Sequence, residues 1–83
     1  MKVTVRYFAS LREALGGSET LDIEAGTTVG ALRDSLLARG GPHAEVLARS
    51  RAVRCALNQM MSDETALLGE GAEVAFFPPV TGG

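Results

Sequence analysis

One stretch of helical periodicity stands among segments that alternate with period two, and this arrangement constrains the fold more than any other feature. Val29, Leu32, Leu36 and Leu37 form a single apolar stripe at the spacing of an amphipathic helix, with Arg33, Asp34 and Arg39 expected to face water. A threonine of Ala25-Gly26-Thr27-Thr28 can cap its start, and Gly40-Gly41-Pro42 carries both stop signals at its end. On either side of this helix the pattern changes. Val3, Val5 and Tyr7 share one face of a first strand, and Thr4, Arg6 and Phe8 share the other. Leu21 and Ile23 point inward from a second strand over residues 19–24. Val53, Cys55 and Leu57 mark a third. Glu73-Val74-Ala75-Phe76-Phe77 is the last strand, because Pro78-Pro79 cannot continue a ladder.

The smaller elements fit between these. Ser10-Leu11-Arg12-Glu13 matches a capping box, and it opens a short helix through Leu11 and Leu15 that Gly16-Gly17 stops. Residues 42–50 read as another short helix, with Pro42 first and Ala44 and Leu47 inward. Asn58-Gln59 suits a tight turn into a short return strand at Met60-Met61. Four or five strands and one principal helix make an α+β layer, a mixed sheet packed on that helix. The β-grasp arrangement, with first and last strands parallel at the sheet centre, satisfies this order and the right-handed crossover rule. Eighty-three residues make one small domain, here residues 1–77, followed by an extended tail over 78–83.

Composition then removes whole classes of function. Ten acidic residues against eight basic ones give a net charge of −2, and the basic residues are scattered singly. Phosphate-backbone binding needs a dense positive patch, so no nucleic-acid partner is expected. The apolar runs are far short of the ~20 residues that span a bilayer, and Arg6 falls where a signal peptide needs apolar residues. No membrane partner and a cytoplasmic location are therefore expected. Cys55 is the single cysteine and His43 the single histidine, which leaves no internal disulfide, no zinc site and no cysteine-ligated cluster. Cys55 reads as a small buried hydrophobe on a strand, and His43 as an exposed loop residue.

The tail carries the remaining signal. Two prolines impose a stiff exit from the last strand, and after Val80-Thr81 the sequence runs to Gly82-Gly83. A terminal Gly-Gly is weak by itself. Joined to this order of elements, Phe76-Phe77-Pro78-Pro79-Val80-Thr81-Gly82-Gly83 resembles the C-terminal signature of the small, sulfur-carrier subunits of molybdopterin synthase, within the ubiquitin-like β-grasp superfamily. Phe8-Ala9-Ser10-Leu11-Arg12-Glu13 is similar to that family's first strand-to-helix junction, and Ala56-Leu57-Asn58-Gln59 to its middle hairpin. Ala72 departs from the family's more usual acidic residue, a detail of a turn.

The resemblance implies a carrier that is not catalytic alone. Gly83 would be activated as an acyl-adenylate by an ATP-dependent adenylating and sulfurating enzyme, then converted to a thiocarboxylate, a good nucleophile. The large synthase subunit would position that sulfur against cyclic pyranopterin monophosphate, in a hetero-oligomer. No permanently bound cofactor is implied, since ATP is used by the partner. Pro78, Pro79, Thr81 and Gly82 would thread the tail into narrow channels, where a Cβ at either glycine would collide. The strand phases place Phe8 and Phe77 together on the far face of adjacent central strands. With Met61 they make an aromatic and apolar patch of the kind that marks a partner site, with Arg12 at its rim. A second small cluster closed over by residues 42–50 is the competing reading of that patch. Two other functions remain open: a sulfur carrier for thiamine or tRNA thiolation, or a ubiquitin-like protein modifier, and a non-covalent β-grasp binding module.

Overall fold

Alternation along Val3-Thr4-Val5-Arg6-Tyr7 produces the strand about which the rest is arranged. The structure, a computed structural model, describes residues 1–79. In chain order it contains β1 (Lys2–Tyr7), α1 (Ala9–Leu15), β2 (Ser18–Asp22), α2 (Val29–Leu37), α3 (Gly41–Val46), β3 (Arg54–Leu57), β4 (Met60–Ser62) and β5 (Glu73–Phe77). The five strands form one sheet in the order β2-β1-β5-β3-β4. β1 and β5 are parallel, and every other neighbouring pair is antiparallel. This is the β-grasp order, with the two chain-terminal strands side by side at the centre.

Register decides which residues share a face. Tyr7 lies opposite Phe76, and Phe76 lies opposite Cys55. All three are buried on the helix side with Val3, Val5 and Val74. From α2, Val29, Leu32 and Leu36 close onto them, and Leu11 and Leu47 plug the edges. Each such side chain contributes about 1.5–3 kcal/mol on burial, so the stripe and the inward strand positions together account for the core.

The start of α2 is satisfied from two directions. Thr28 Oγ1 accepts the Ala31 N–H at 3.1 Å, the expected cap. The Val29 and Gly30 N–H groups reach carbonyls of the 63–66 loop, at 3.0 Å to Ala66 and 2.9 Å to Glu64. That approach favours glycine, because a Cβ at Gly30 would stand 3.1–3.2 Å from Glu64 atoms and the loop would have to give by a few tenths of an ångström. At the hairpin, Asn58 and Gln59 both take positive φ, as the turn between β3 and β4 requires.

Four expectations are corrected. The capping box at Ser10 does not form. α1 begins at Ala9, with Phe8 at the N-cap position and no side-chain cap. The reason is long-range: the Phe8 N–H donates to the Phe76 carbonyl at 3.1 Å, so the β1–β5 pairing holds the chain extended until Phe8. Ala9 then turns it with a φ of 53°. The second strand is shorter and earlier than expected, Ser18–Asp22, although Ile23 still exchanges both backbone hydrogen bonds with Met1. His43 is not in an exposed loop. It belongs to α3, half-buried with its ring edge-on to Tyr7, centroids 6.5 Å apart.

The fourth correction is the largest. Arg33 does not face water; it is 4% exposed. Its Nε donates to the Leu47 carbonyl at 2.9 Å, and Nη2 to those of Ala48 at 2.7 Å and Arg51 at 3.2 Å. Its Nη1 donates to Glu64 Oε2 at 2.8 Å. Arg33 thus clasps the segment after α3 and the 63–66 loop to the principal helix. Arg49 completes the arrangement, pairing with Asp34 at 2.8 Å and with Glu64, and donating to the Gly30 carbonyl at 3.1 Å.

Candidate docking face and tail exit

Residues that alternate with the core positions build the open face of the sheet. Arg6 lies opposite Ala75, Ala75 opposite Ala56, and Ala56 opposite Met61, in one row across four strands. The next positions toward the exit are Phe77 on β5 and Arg54 opposite it on β3. Small side chains in the middle and large ones at the ends leave a groove of about 610 Å³. Its apolar lining comes from Phe8, Ala9, Ala56, Ala75, Phe77, Pro78 and Pro79, and its polar lining from Arg6, Gln59 and Glu73.

The expected patch is therefore assembled in part. Phe8, 37% exposed, and Phe77, half-buried, share the groove with Pro78 and Pro79. The 42–50 segment packs at the helix side, where Leu47 is fully buried, and it lines no part of the groove. Met61, 61% exposed, lies on the same face but lines an adjoining, shallower concavity with Arg54, Ser62 and Asp63. Arg12 is exposed on α1 with its guanidinium toward Gly17, and does not line the groove. Thr81, Gly82 and Gly83 lie outside the described residues. Sequence reasoning did not single out Arg6, Glu73 or Ala75, although the period-two phase that selected Phe8 and Phe77 places all three beside them.

Charge on this face is sparse. The Arg6 guanidinium sits 5.3 Å from the Phe8 ring centroid and 3.8 Å from a Glu73 carboxylate oxygen. On the opposite side of the sheet, burial and then the hydrogen bond to Glu19 push the Tyr7 phenol far above its ordinary value. That hydrogen bond is 2.9 Å long, and Arg39 donates to the same carboxylate at 2.8 Å. Cys55, 5% exposed, gives its thiol to the Ser62 carbonyl at 3.3 Å. Burial, with Glu64 and Asp63 adding negative charge nearby, raises its pKa. Burial and the carbonyl contact suit the small core hydrophobe expected at Cys55. Among the described residues no three His, Cys, Asp or Glu side chains converge as metal ligands, and no helix is long and apolar enough to cross a membrane.

A mixed sheet closed by one principal helix, with its last central strand running past an apolar groove into paired prolines, defines a ubiquitin-like β-grasp domain. The chain belongs to the ThiS family, whose model matches residues 5–83. It is 36% identical to the molybdopterin synthase sulfur carrier subunit of Mycobacterium tuberculosis, over 100% of this chain and 99% of that protein. It is 38% identical to the molybdopterin synthase sulfur carrier subunit of Escherichia coli, over 98% of this chain and 99% of that one. Among solved structures, it matches a chain of the protein–protein complex of subunits 1 and 2 of the molybdopterin-converting factor from Helicobacter pylori. That match has a TM-score of 0.71 at 25% identity and covers 100% of both chains.

Proposed function

We propose that this chain is the sulfur-carrier subunit of a molybdopterin synthase, acting through Gly83. The full-length similarity to relatives carrying that name supports the reading most directly. The groove running into Pro78-Pro79 supports it physically, since a docked partner there would receive the tail that follows.

In this reading the Gly83 carboxylate, a poor electrophile, first attacks the α-phosphorus of ATP on a partner adenylating enzyme. An acyl-adenylate forms and pyrophosphate leaves. The outer sulfur of a persulfide on the sulfurating enzyme then attacks the acyl carbon, a C–S bond forms, and AMP departs with the C–O bonding pair. A second thiol of that enzyme attacks the inner sulfur of the resulting acyl disulfide, the S–S bond to the carrier breaks, and the enzyme's two sulfurs are left as a disulfide. The thiocarboxylate leaves with the electron pair. The resulting thiocarboxylate is the nucleophile that the large subunit holds against cyclic pyranopterin monophosphate. Two transfers complete the dithiolene. Phe8, Phe77 and Met61 would anchor the large subunit in a cytoplasmic hetero-oligomer. Pro78 and Pro79 fix the angle at which Thr81, Gly82 and Gly83 enter the active site.

Deletion of Gly83 tests the reading. Molybdopterin synthesis, reconstituted with the large subunit and the sulfurating enzyme, is expected to vanish while the melting temperature stays at the wild-type value. Retained synthesis by the truncated chain would refute it.

A further inference from the structure

Arg6 and Arg54 differ in their surroundings from three arginines of the helix side, while the exposed Arg12 and Arg51 resemble them in having no hydrogen-bonded carboxylate among the described residues. Arg33, Arg39 and Arg49 each hydrogen-bond a carboxylate. Among the described residues Arg6 and Arg54 do not: Arg6 meets Glu73 only at 3.8 Å, and no carboxylate lies within ion-pair distance of Arg54. Both point from the open face, one on each side of β5, and Phe77 lies directly opposite Arg54 in the register. Two guanidiniums with no hydrogen-bonded carboxylate thus flank β5, Arg6 lining the apolar groove and Arg54 the adjoining concavity. A guanidinium with free donors is suited to bidentate recognition of a carboxylate.

The sheet geometry sets the spacing. Arg6 and Arg54 sit two strands apart and two residues out of line, so their Cα atoms are separated by about 12 Å, from ~4.8 Å between strands and ~3.4 Å per residue. Two turns of an α-helix cover about 11 Å. We propose that Arg6 and Arg54 determine specificity at this face. They select a partner segment that lays apolar side chains into the Phe8–Phe77 groove and presents two carboxylates, about two helical turns apart, to the flanking guanidiniums. The proposal rests on the reading that the groove docks the large subunit, and it adds what chemistry that docking segment must carry. Among the described residues Glu73 is the one carboxylate lining the groove. It competes for Arg6 and opposes an incoming carboxylate, so its removal acts with the opposite sign. Asp63, in the adjoining concavity with Arg54, accepts the N–H and hydroxyl of Thr65 at Oδ1 and adds a second negative charge there.

Calorimetric titration of the full chain against its large subunit, at about 50 mM and about 300 mM salt, tests this through the Debye screening that separates charge from apolar contact. Arg6→Gln and Arg54→Gln are each expected to weaken binding roughly 5- to 10-fold at low salt and to reduce the salt dependence. Glu73→Gln is expected to tighten low-salt binding roughly 2- to 5-fold, which a merely destabilised fold cannot do. Phe77→Ala is expected to weaken binding by a similar factor at both salt concentrations. If Phe77→Ala weakens binding while both arginine variants bind like wild type with unchanged salt dependence, the specificity proposal is overturned and the docking reading stands. If Phe77→Ala itself binds like wild type, the docking reading falls and takes the proposal with it.

Discussion

Replacing Arg33 with methionine removes the clasp while keeping a side chain of similar length that can lie on Leu32 and Leu36. Four hydrogen bonds are lost: three to the carbonyls of Leu47, Ala48 and Arg51, and one to Glu64. Two costs follow. Breaking a buried, hydrogen-bonded charge pair by deleting one partner costs about 3–5 kcal/mol. Stranding a buried acceptor such as the Leu47 carbonyl costs about 1–3 kcal/mol more, although water reaches the Glu64 side, which is 30% exposed, and lowers the total. A net loss of about 3–5 kcal/mol is therefore expected. An 83-residue chain has roughly 4–12 kcal/mol in all, so about a quarter or more of the stability is at stake. At ~4–8 °C per kcal/mol for a domain of this size, the melting temperature should fall by at least about 12 °C. Urea unfolding followed by circular dichroism measures the loss directly, with Arg12→Met, an exposed arginine, as the control expected within about 0.5 kcal/mol of wild type. A loss under about 1 kcal/mol for Arg33→Met would show that the 47–51 segment is held by Leu47 packing alone and that the clasp contributes nothing.

Val74→Ala, a truncation at a fully buried position, should cost about 2–4 kcal/mol and lower the melting temperature more than Phe77→Ala; the reverse order in paired melts would invert the face assignment. A folded Cys55→Ser chain should keep full carrier activity in reconstituted synthesis while losing about 1–2 kcal/mol, because a hydroxyl replaces a buried thiol; an inactive but folded variant would revive a sulfur relay. Stability should also decline in acid. Burial raises the Glu64 carboxyl, but hydrogen bonds and charge from Arg49 and Arg33 outweigh it and leave its pKa below the ordinary value; hydrogen bonding and charge from Arg39 likewise outweigh burial at Glu19. The unfolded chain then binds these protons first, so the contribution is complete above the ordinary glutamate value of about 4.3 and is lost as pH falls through the lower folded values. Urea midpoints at neutral pH and near pH 3 check this, and Glu64→Gln should flatten the difference.

The sequence by itself determined the elements and the faces. Period two assigned Val3, Val5 and Tyr7 to one side of β1 and Phe8 to the other, because side chains of a pleated strand must alternate. The helical stripe of α2 and the turn at Asn58-Gln59 were legible for the same local reason. The similarity of the tail to a carrier signature was legible as well, since it is carried by contiguous residues. What only the tertiary structure decided involves partners distant along the chain. Arg33 stands next to the apolar stripe, and nothing nearby says that carbonyls 14–18 residues away and Glu64, 31 residues away, converge on it. Phe8, rather than Ser10, stands at the N-cap of α1 because Phe76, across the central pair, accepts its N–H. His43 leaves solvent because Tyr7 and Glu19 meet it from the sheet. Arg6, Ala75, Ala56 and Met61 become one row, and Arg54 comes to flank Phe77, because of strand order and register. Local sequence specifies the period of a strand, but not which strand lies beside it.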